Sequence, residues 1–210
     1  MPDSRDTFVD WNHCTSGIVI LPVGACEQHS SHLPIATDSL LAGHFAGFLA
    51  EQINAAVLPT LSYGTSYEHT GFRGTYSLRP ETVMAIIRDV AGEAQLQNFH
   101  TLIVLNWHGG NFSLAPVVRD INRSQSKIKL LLVFPPQFCP SPDVELHSGE
   151  WETSVMLHLF PKLVRPVADN PMHADWTEKR FLQPDLNHWT IGRISPNGAL
   201  GRPEKASAEK

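Results

Sequence analysis

Gly17-Ile18-Val19-Ile20-Leu21-Pro22-Val23-Gly24-Ala25-Cys26-Glu27-Gln28-His29 runs from an apolar, β-branched segment straight into a carboxylate and an imidazole. His32 and Asp38 follow shortly after. Branched side chains suit a pleated surface buried on both faces, so the first part reads as an inner strand. A strand that ends in metal-ligand residue types points to a site at the edge of a sheet. Carboxylate oxygen with imidazole nitrogen suits a divalent ion such as zinc or manganese, whereas calcium takes oxygen alone.

Outward from this stretch, apolar runs at 17–24, 55–61, 101–106 and 128–134 read as four buried strands. Segments with helical periodicity lie between and after them. Residues 38–53 open at Asp38 and carry Leu41, Phe45, Phe48 and Leu49. Residues 80–98 open on Pro80 and Glu81, a favourable helix start, and continue through Val83, Ile86, Ile87 and Val90. Residues 112–124 and 150–160 are two further helices. This alternation predicts an α/β sandwich with a largely parallel sheet. In such sheets ligands gather at the carboxyl ends of the strands. Two loops are long: 62–79, rich in Gly, Thr, Tyr and Ser with His69 and Arg73, and 135–149, with Pro135, Pro136, Pro140 and Pro142 before His147. Proline limits the freedom of the second, which reads as a shaped lid or rim. The Pro/Asn/His-rich tail from 169 gives no placeable elements, and the chain has no internal repeat.

Composition narrows the function classes. With 210 residues, 42% hydrophobic and 18% charged, the chain is long enough to bury a core. A net charge of -5 provides no basic footprint for nucleic acid or an anionic membrane. No apolar run approaches the roughly 20 residues that span a bilayer, and the polar N-terminus lacks a secretory signal. Cys14, Cys26 and Cys139 form no CxxC pair, which speaks against a disulfide framework and for a reducing compartment. A cytoplasmic protein is expected. Cys26 beside Glu27 reads either as a ligand or nucleophile, or as a small apolar core residue.

Two more clusters carry chemistry. Asn106-Trp107-His108-Gly109-Gly110-Asn111 follows the strand Thr101-Leu102-Ile103-Val104-Leu105. The glycines let the backbone turn and approach a ligand, and Asn111 can cap the next helix. The plainer reading is a strand-to-helix turn with an incidental histidine. His147-Ser148-Gly149-Glu150-Trp151-Glu152-Thr153-Ser154 runs into the apolar Val155-Met156-Leu157. Its acids also suit a helix N-terminus, where Ser148 or Thr153 can cap. Taken together, the clusters can meet at one sheet edge and supply Glu27, His29, Asp38, His108 and a glutamate of the third cluster. Five ligands exceed one tetrahedral zinc, and a carboxylate can bridge two ions roughly 3.5–4 Å apart. His147 is then left to shuttle protons, since imidazole titrates near neutral pH.

At these residues the chain resembles the creatininase (creatinine amidohydrolase) family. The matching pieces are Leu21–His29, His32-Leu33-Pro34, Thr37-Asp38, Asn106–Asn111 and His147–Ser154, with Ala208-Glu209-Lys210 similar to the family's late segment. The resemblance covers nearly the whole chain, with its motifs in the expected order. It implies a three-layer αβα sandwich on a mostly parallel sheet with 1–210 as a single domain, two divalent metal ions per chain (zinc or manganese, sometimes iron), a small-molecule amide substrate and a homohexamer. By position it assigns Glu27 and His108 to one metal, His29 to the other and Asp38 between them. Glu152 takes the remaining carboxylate place, with Glu150 as the alternative or an outer partner. His147 corresponds to the acid/base histidine, which protonates the leaving nitrogen after activated water attacks an amide carbonyl. His32 becomes a structural or outer-shell residue.

The departures bear on substrate. Creatinine-hydrolysing members carry an aromatic and a carboxylate where this chain has Gly109 and Gly110, and Asp143 falls near the place of a pocket tryptophan. Creatinine is therefore disfavoured, and formamides, small lactams, peptide ends or sugar-like cyclic ketones are the expected range. Two other readings are a hydrolase of C–C or C–O bonds with the same metal chemistry, and a non-catalytic binding or assembly member. Trp107 and Trp151 read as pocket walls or as packing, and His44 as a core or surface residue. His69 and Arg73 read as substrate contacts or ordinary loop residues. His158, His173 and His188 have no partner spacing.

Overall fold

The computed structural model describes residues 1–124, 126–138, 146–167 and 190–210. They fall into two compact units: Met1–Ala25, Asp38–Thr65 and Ser77–Phe138 form the first, and Cys26–Thr37, Ser66–Tyr76 and the described part of Cys139–Lys210 form the second.

The first unit holds a four-stranded sheet, β1 (Ile18–Val23), β2 (Ala56–Val57), β3 (Thr101–Asn106) and β4 (Lys129–Val133), in the order β2-β1-β3-β4. All pairings are parallel, with Val19 opposite Ala56 and Leu102, and Val104 opposite Leu132. The helices are α1 (Phe8–Asn12), α2 (Thr37–Ile53), whose first residue belongs to the second unit, α3 (Pro80–Leu96) and α4 (Leu114–Arg123). Side-chain alternation divides β1 and β3 between two faces. On one face Val19, Leu21, Leu102 and Val104 pack with Val83, Ile87 and Ala91 of α3 and Leu114 and Val117 of α4. The other face buries Ile20, Ile103 and Leu105. There Pro22 and the α2 residues Gly43 and Gly47 line one cavity, and Phe45 of α2 stacks on Trp107 with ring centroids 4.6 Å apart. Helices thus cover both faces of the sheet, as the strand–helix alternation predicts. Each buried Leu or Ile side chain contributes roughly 1.5–3 kcal/mol to that core.

One strand departs from expectation. The run 55–61 is not continuous: β2 is two residues long, and pairing resumes at a single bridge between Val23 and Leu61. Pro59 has no N–H to give to a ladder, so the strand breaks around it. Leu58 N still donates to Ile20 O at 2.9 Å, and Leu61 N to Pro22 O at 2.9 Å. Pro22, which also lacks a donor, faces this interruption. The helix expected over 112–124 begins at Leu114 after Ser113, and Asn111 does not cap it.

The second unit is built from short pieces. These are 3-10 turns at Tyr67–His69, Pro161–Leu163 and Pro203–Lys205, the helix α5 (Glu150–Leu159) and a helical turn at Ile191–Ile194. His147 and Leu200 form an antiparallel bridge, and Tyr76 N donates to Cys26 O at 2.8 Å. The tail is tied down at its end, where Ser207 N donates to Ser154 Oγ at 3.1 Å and His158 Nδ1 lies 3.1 Å from Ala208 O. Cys139, Pro140, Pro142, Asp143, His173 and His188 lie outside the described residues. Among the described residues no helix is long and apolar enough to cross a membrane.

Candidate metal centre

In the second unit, Glu27, His29, His69, His147 and Glu152 come together. Glu27 and His29 leave the end of the Leu21–His29 motif; both are buried, at 0% and 1% exposure. Glu152 lies in the first turn of α5, and His147 precedes that helix. One atom each of Glu27, His69 and His147 lie within 4.8 Å of one another, and the same is true of His29, His147 and Glu152.

The donor pattern decides what such a cluster can hold. His29 Nδ1 lies 3.1 Å from the Glu27 carbonyl, which can only accept, so Nδ1 carries the hydrogen. Nε2, which carries a lone pair whenever the ring is neutral, stands 3.6 Å from Glu152 Oε1. Glu152 Oε2 accepts from Ser148 N at 2.8 Å. In the first unit the same arrangement recurs. His108 Nε2 is 2.9 Å from Thr65 O, which fixes the hydrogen there, and Nδ1 stands 3.6 Å from Asp38 Oδ2. A carboxylate oxygen beside a ring nitrogen at that range calls for positive charge, supplied by a proton on the ring or by a cation between the two groups. Ligand atoms about 2.1 Å from a tetrahedral zinc sit roughly 3.4 Å apart, so both pairs match the spacing of two ligands on one ion. Backbone carbonyls fixing the far ring nitrogen are also the usual outer support of metal-binding histidine. The residues present fit divalent cations.

The turn after β3 is held by asparagines. Asn106 Nδ2 donates to His108 O at 2.7 Å, and Asn111 Nδ2 to Asn106 Oδ1 and Gly24 O at 2.9 and 3.1 Å. Asn111 Oδ1 accepts from Thr65 N at 2.9 Å. Asn111 thus ties two strand ends and the Thr65 loop together, instead of capping α4 as its position before the helix predicts.

His147 lies between two imidazoles, with centroids 4.3 Å from those of His29 and His69. Its Nδ1 is 3.6 Å from Glu27 Oε1 and its Nε2 2.7 Å from Gln28 O. Burial first, then His69 and His29, drive its pKa well below the usual histidine value, against the pull of Glu27. Burial, and to a lesser degree Glu27, raise the Glu152 carboxyl, but His29 and the Ser148 N–H outweigh them and hold it below the ordinary carboxylate value.

Other expected residues are placed as follows. His32 is buried with Nε2 2.9 Å from Thr153 Oγ1, and burial lowers its pKa. Thr153 is engaged there and Ser148 gives its backbone N–H to Glu152; α5 has no side-chain cap bond, with Gly149 at its N-cap. Glu150 points to the Lys210 ammonium, and Ser154 Oγ donates to Glu150 O at 2.6 Å and accepts from Ser207 N at 3.1 Å. Trp107 is buried against Phe45, which is packing, and Trp151 is half-buried. Gly109 is exposed and Gly110 half-buried, while Arg73 and His44 are exposed. The Cys26 thiol, 3.5 Å from Gly74 O, is pushed up by burial and belongs to none of the clusters. Sequence reading left His69 out of the ligand set. It is buried with Nε2 3.2 Å from Glu27 Oε1. The available signal was its place in the 62–79 loop, which leaves the same end of the sheet as the Glu27 motif.

A family model described as "Creatininase: Creatinine amidohydrolase" matches residues 9–210. The chain belongs to the creatininase family. Within that family of hydrolases it is 30% identical over 202 residues to the mycofactocin precursor peptide peptidase of Mycolicibacterium smegmatis, covering 93% of this chain and 78% of that protein. It is 29% identical over 220 residues to the creatinine amidohydrolase of Pseudomonas putida, covering 92% and 82%. A solved mutant creatininase of "Zn-Zn type" superposes with a TM-score of 0.80 at 26% identity, covering 99% of this chain and 90% of the other. The α/β fold with its parallel sheet is that of the creatininase structures.

Proposed function

We propose that this chain is a metal-dependent amidohydrolase that uses two divalent ions, zinc or manganese, with iron as a third choice. Glu27 and His108 would hold one ion, His29 and Glu152 the other, and Asp38 would bridge them. The observation that carries the reading is the matched pair of ring nitrogens, His29 Nε2 and His108 Nδ1, each 3.6 Å from a carboxylate oxygen while the ring's other nitrogen is held by a backbone carbonyl. When bound, the ions supply Lewis acidity toward a carbonyl and lower the pKa of water toward neutrality. Backbone carbonyls fix the rings of His29 and His108, so these ligands need no reorientation. His69 steadies the Glu27 carboxylate. His147 accepts a proton at Nδ1 and returns it to the leaving nitrogen; its lowered pKa keeps it in the neutral, accepting form at pH 7.

The substrate we propose is a C–N bond of a small amide, with a peptide end as the first choice over a cyclic amide or formamide. The likeness to the mycofactocin precursor peptide peptidase supports the peptide end. The Gly109-Gly110 pair supports it as well, because an unencumbered backbone beside His108 leaves width for an extended chain. Residues 1–210 act in this reading as one creatininase-like domain, assembled as a homohexamer in a reducing compartment. The test is metal content by plasma mass spectrometry together with turnover of short peptides, lactams, formamides, creatinine and cyclic diketones. About two zinc or manganese ions per chain with cleavage of an amide is the expected result. Fewer than about one ion per chain after reconstitution, or cleavage confined to the diketones, sinks it.

A further inference from the structure

Gln28 stands between Glu27 and His29, and its own side chain is closely held. It is 5% exposed, and its amide orientation is settled by Ser30, whose backbone N–H donates to Oε1 at 2.8 Å. Nε2 is therefore the donor end. It lies 2.8 Å from His69 Nδ1, 3.0 Å from Gly198 O and 3.1 Å from His147 Nε2. An amide nitrogen has two hydrogens for these three neighbours. Gly198 O can only accept, so one hydrogen goes there. His147 Nε2 is also 2.7 Å from the Gln28 backbone carbonyl, another obligate acceptor, and must donate to it. The second amide hydrogen is left for His69 Nδ1.

From this count the tautomers of both rings follow. His69 accepts at Nδ1 and carries its hydrogen at Nε2, which stands 3.2 Å from Glu27 Oε1. His147 carries its hydrogen at Nε2 and keeps its lone pair at Nδ1, on the Glu27 side. We propose that Gln28 is a positioning residue that sets both imidazoles at once, its side chain fixing His69 and its carbonyl fixing His147. Nδ1 is then the working nitrogen of His147. The inference rests on the acid/base reading of His147. Gly198 belongs to the same device: at φ +82° it lies so close that a Cβ would stand 1.9 Å from Gln28 Oε1 and 2.6 Å from Nε2. Any side chain there must drive the amide out of place.

The test uses the full-length protein with 15N-labelled histidine, read by long-range proton–nitrogen correlation near neutral pH, with zinc added and after its removal. The expected pattern in the wild type is pyrrole-type Nε2 and pyridine-type Nδ1 for both His69 and His147. Gln28→Glu preserves the oxygen that Ser30 needs but replaces the donor facing His69 with an acceptor. It should convert His69 Nδ1 to the protonated type. Gly198→Ala should perturb the same signals while leaving Gln28 itself unchanged. A hydrogen on Nδ1 of either ring in the wild type overturns the proposal, as does an unaltered His69 pattern in Gln28→Glu. Zinc uptake measured on the same samples separates the two readings. Protein that takes up no zinc but shows the Nε2–H pattern supports the tautomer assignment and sinks the metal reading. Protein that takes up two zinc ions with the hydrogen on His147 Nδ1 does the reverse.

Discussion

At the scale of single residues, the roles separate by what each substitution removes. Glu27 is wholly buried among His69 and His147, so Glu27→Gln keeps the shape and takes away a ligand charge. Plasma mass spectrometry should find one ion per chain lost, and turnover should fall to background. Full activity in that variant refutes the assignment. His147→Ala should keep both ions and lower turnover by roughly 10²–10⁴-fold, the usual worth of a positioned proton-transfer group. Loss of metal along with activity would make His147 a ligand instead. Glu150 provides the contrast. Its partner is Lys210 at the surface, so Glu150→Gln should leave metal content and turnover within about twofold of the wild type, because exposed ion pairs contribute little.

At the scale of elements, the strands and helices were legible because their patterns are strong. The β-branched runs ending at Val23 and Asn106, and the Pro80 helix start, leave few alternatives. The break in 55–61 was legible in principle at Pro59, but the apolar content around it masked the missing donor. Asn111 was misread because a helix followed it. Its real partners, Gly24 O and Thr65 N, lie far away in the chain, and no local pattern reports them. The three motif segments announced their candidate residues by type and order, whereas His69 sits in a loop whose course only the fold decides. Gly24, where β1 ends before α2, shows how tightly these junctions are made. A Cβ there would stand 2.5 Å from Ser39 N and 2.6 Å from Ser39 Cα. Those are backbone atoms beside Asp38, which cannot swing aside. Gly24→Ala should cost about 1–3 kcal/mol, the range for overpacking, read as a lowered denaturation midpoint, and it should weaken metal retention by shifting Asp38. An unchanged midpoint would mean that the junction yields.

At the scale of the whole molecule, buried neutral histidines tie stability to pH. Burial lowers the pKa of His32 and, more strongly, of His147 in the folded chain. Unfolded histidine titrates near ~6.5. The unfolded chain therefore binds more protons than the folded one once pH falls below that value, and stability drops as pH falls. The metal-free protein should be stable from pH 7 to 8 and lose up to ~1.4 kcal/mol per pH unit for each such histidine below about 6.5. Denaturant titrations at pH 7.5 and 5.5 check this. His32→Gln should flatten the slope by about one proton's worth, and a slope unchanged by that variant would remove His32 from the account.

The turn after β3 also determines how the protein can diversify. A Cβ placed on Gly109 meets nothing within 4 Å, although the position adjoins His108. Other positions at this turn are committed: Asn106 and Asn111 lock it, and Gly24, whose carbonyl Asn111 holds, admits no added atom. Position 109 is thus a degree of freedom that the architecture leaves open beside the chemistry. A mutational library confined to it should return mostly folded, metal-binding chains with altered substrate preference, which makes it the natural entry point for selection, in the laboratory or in descent.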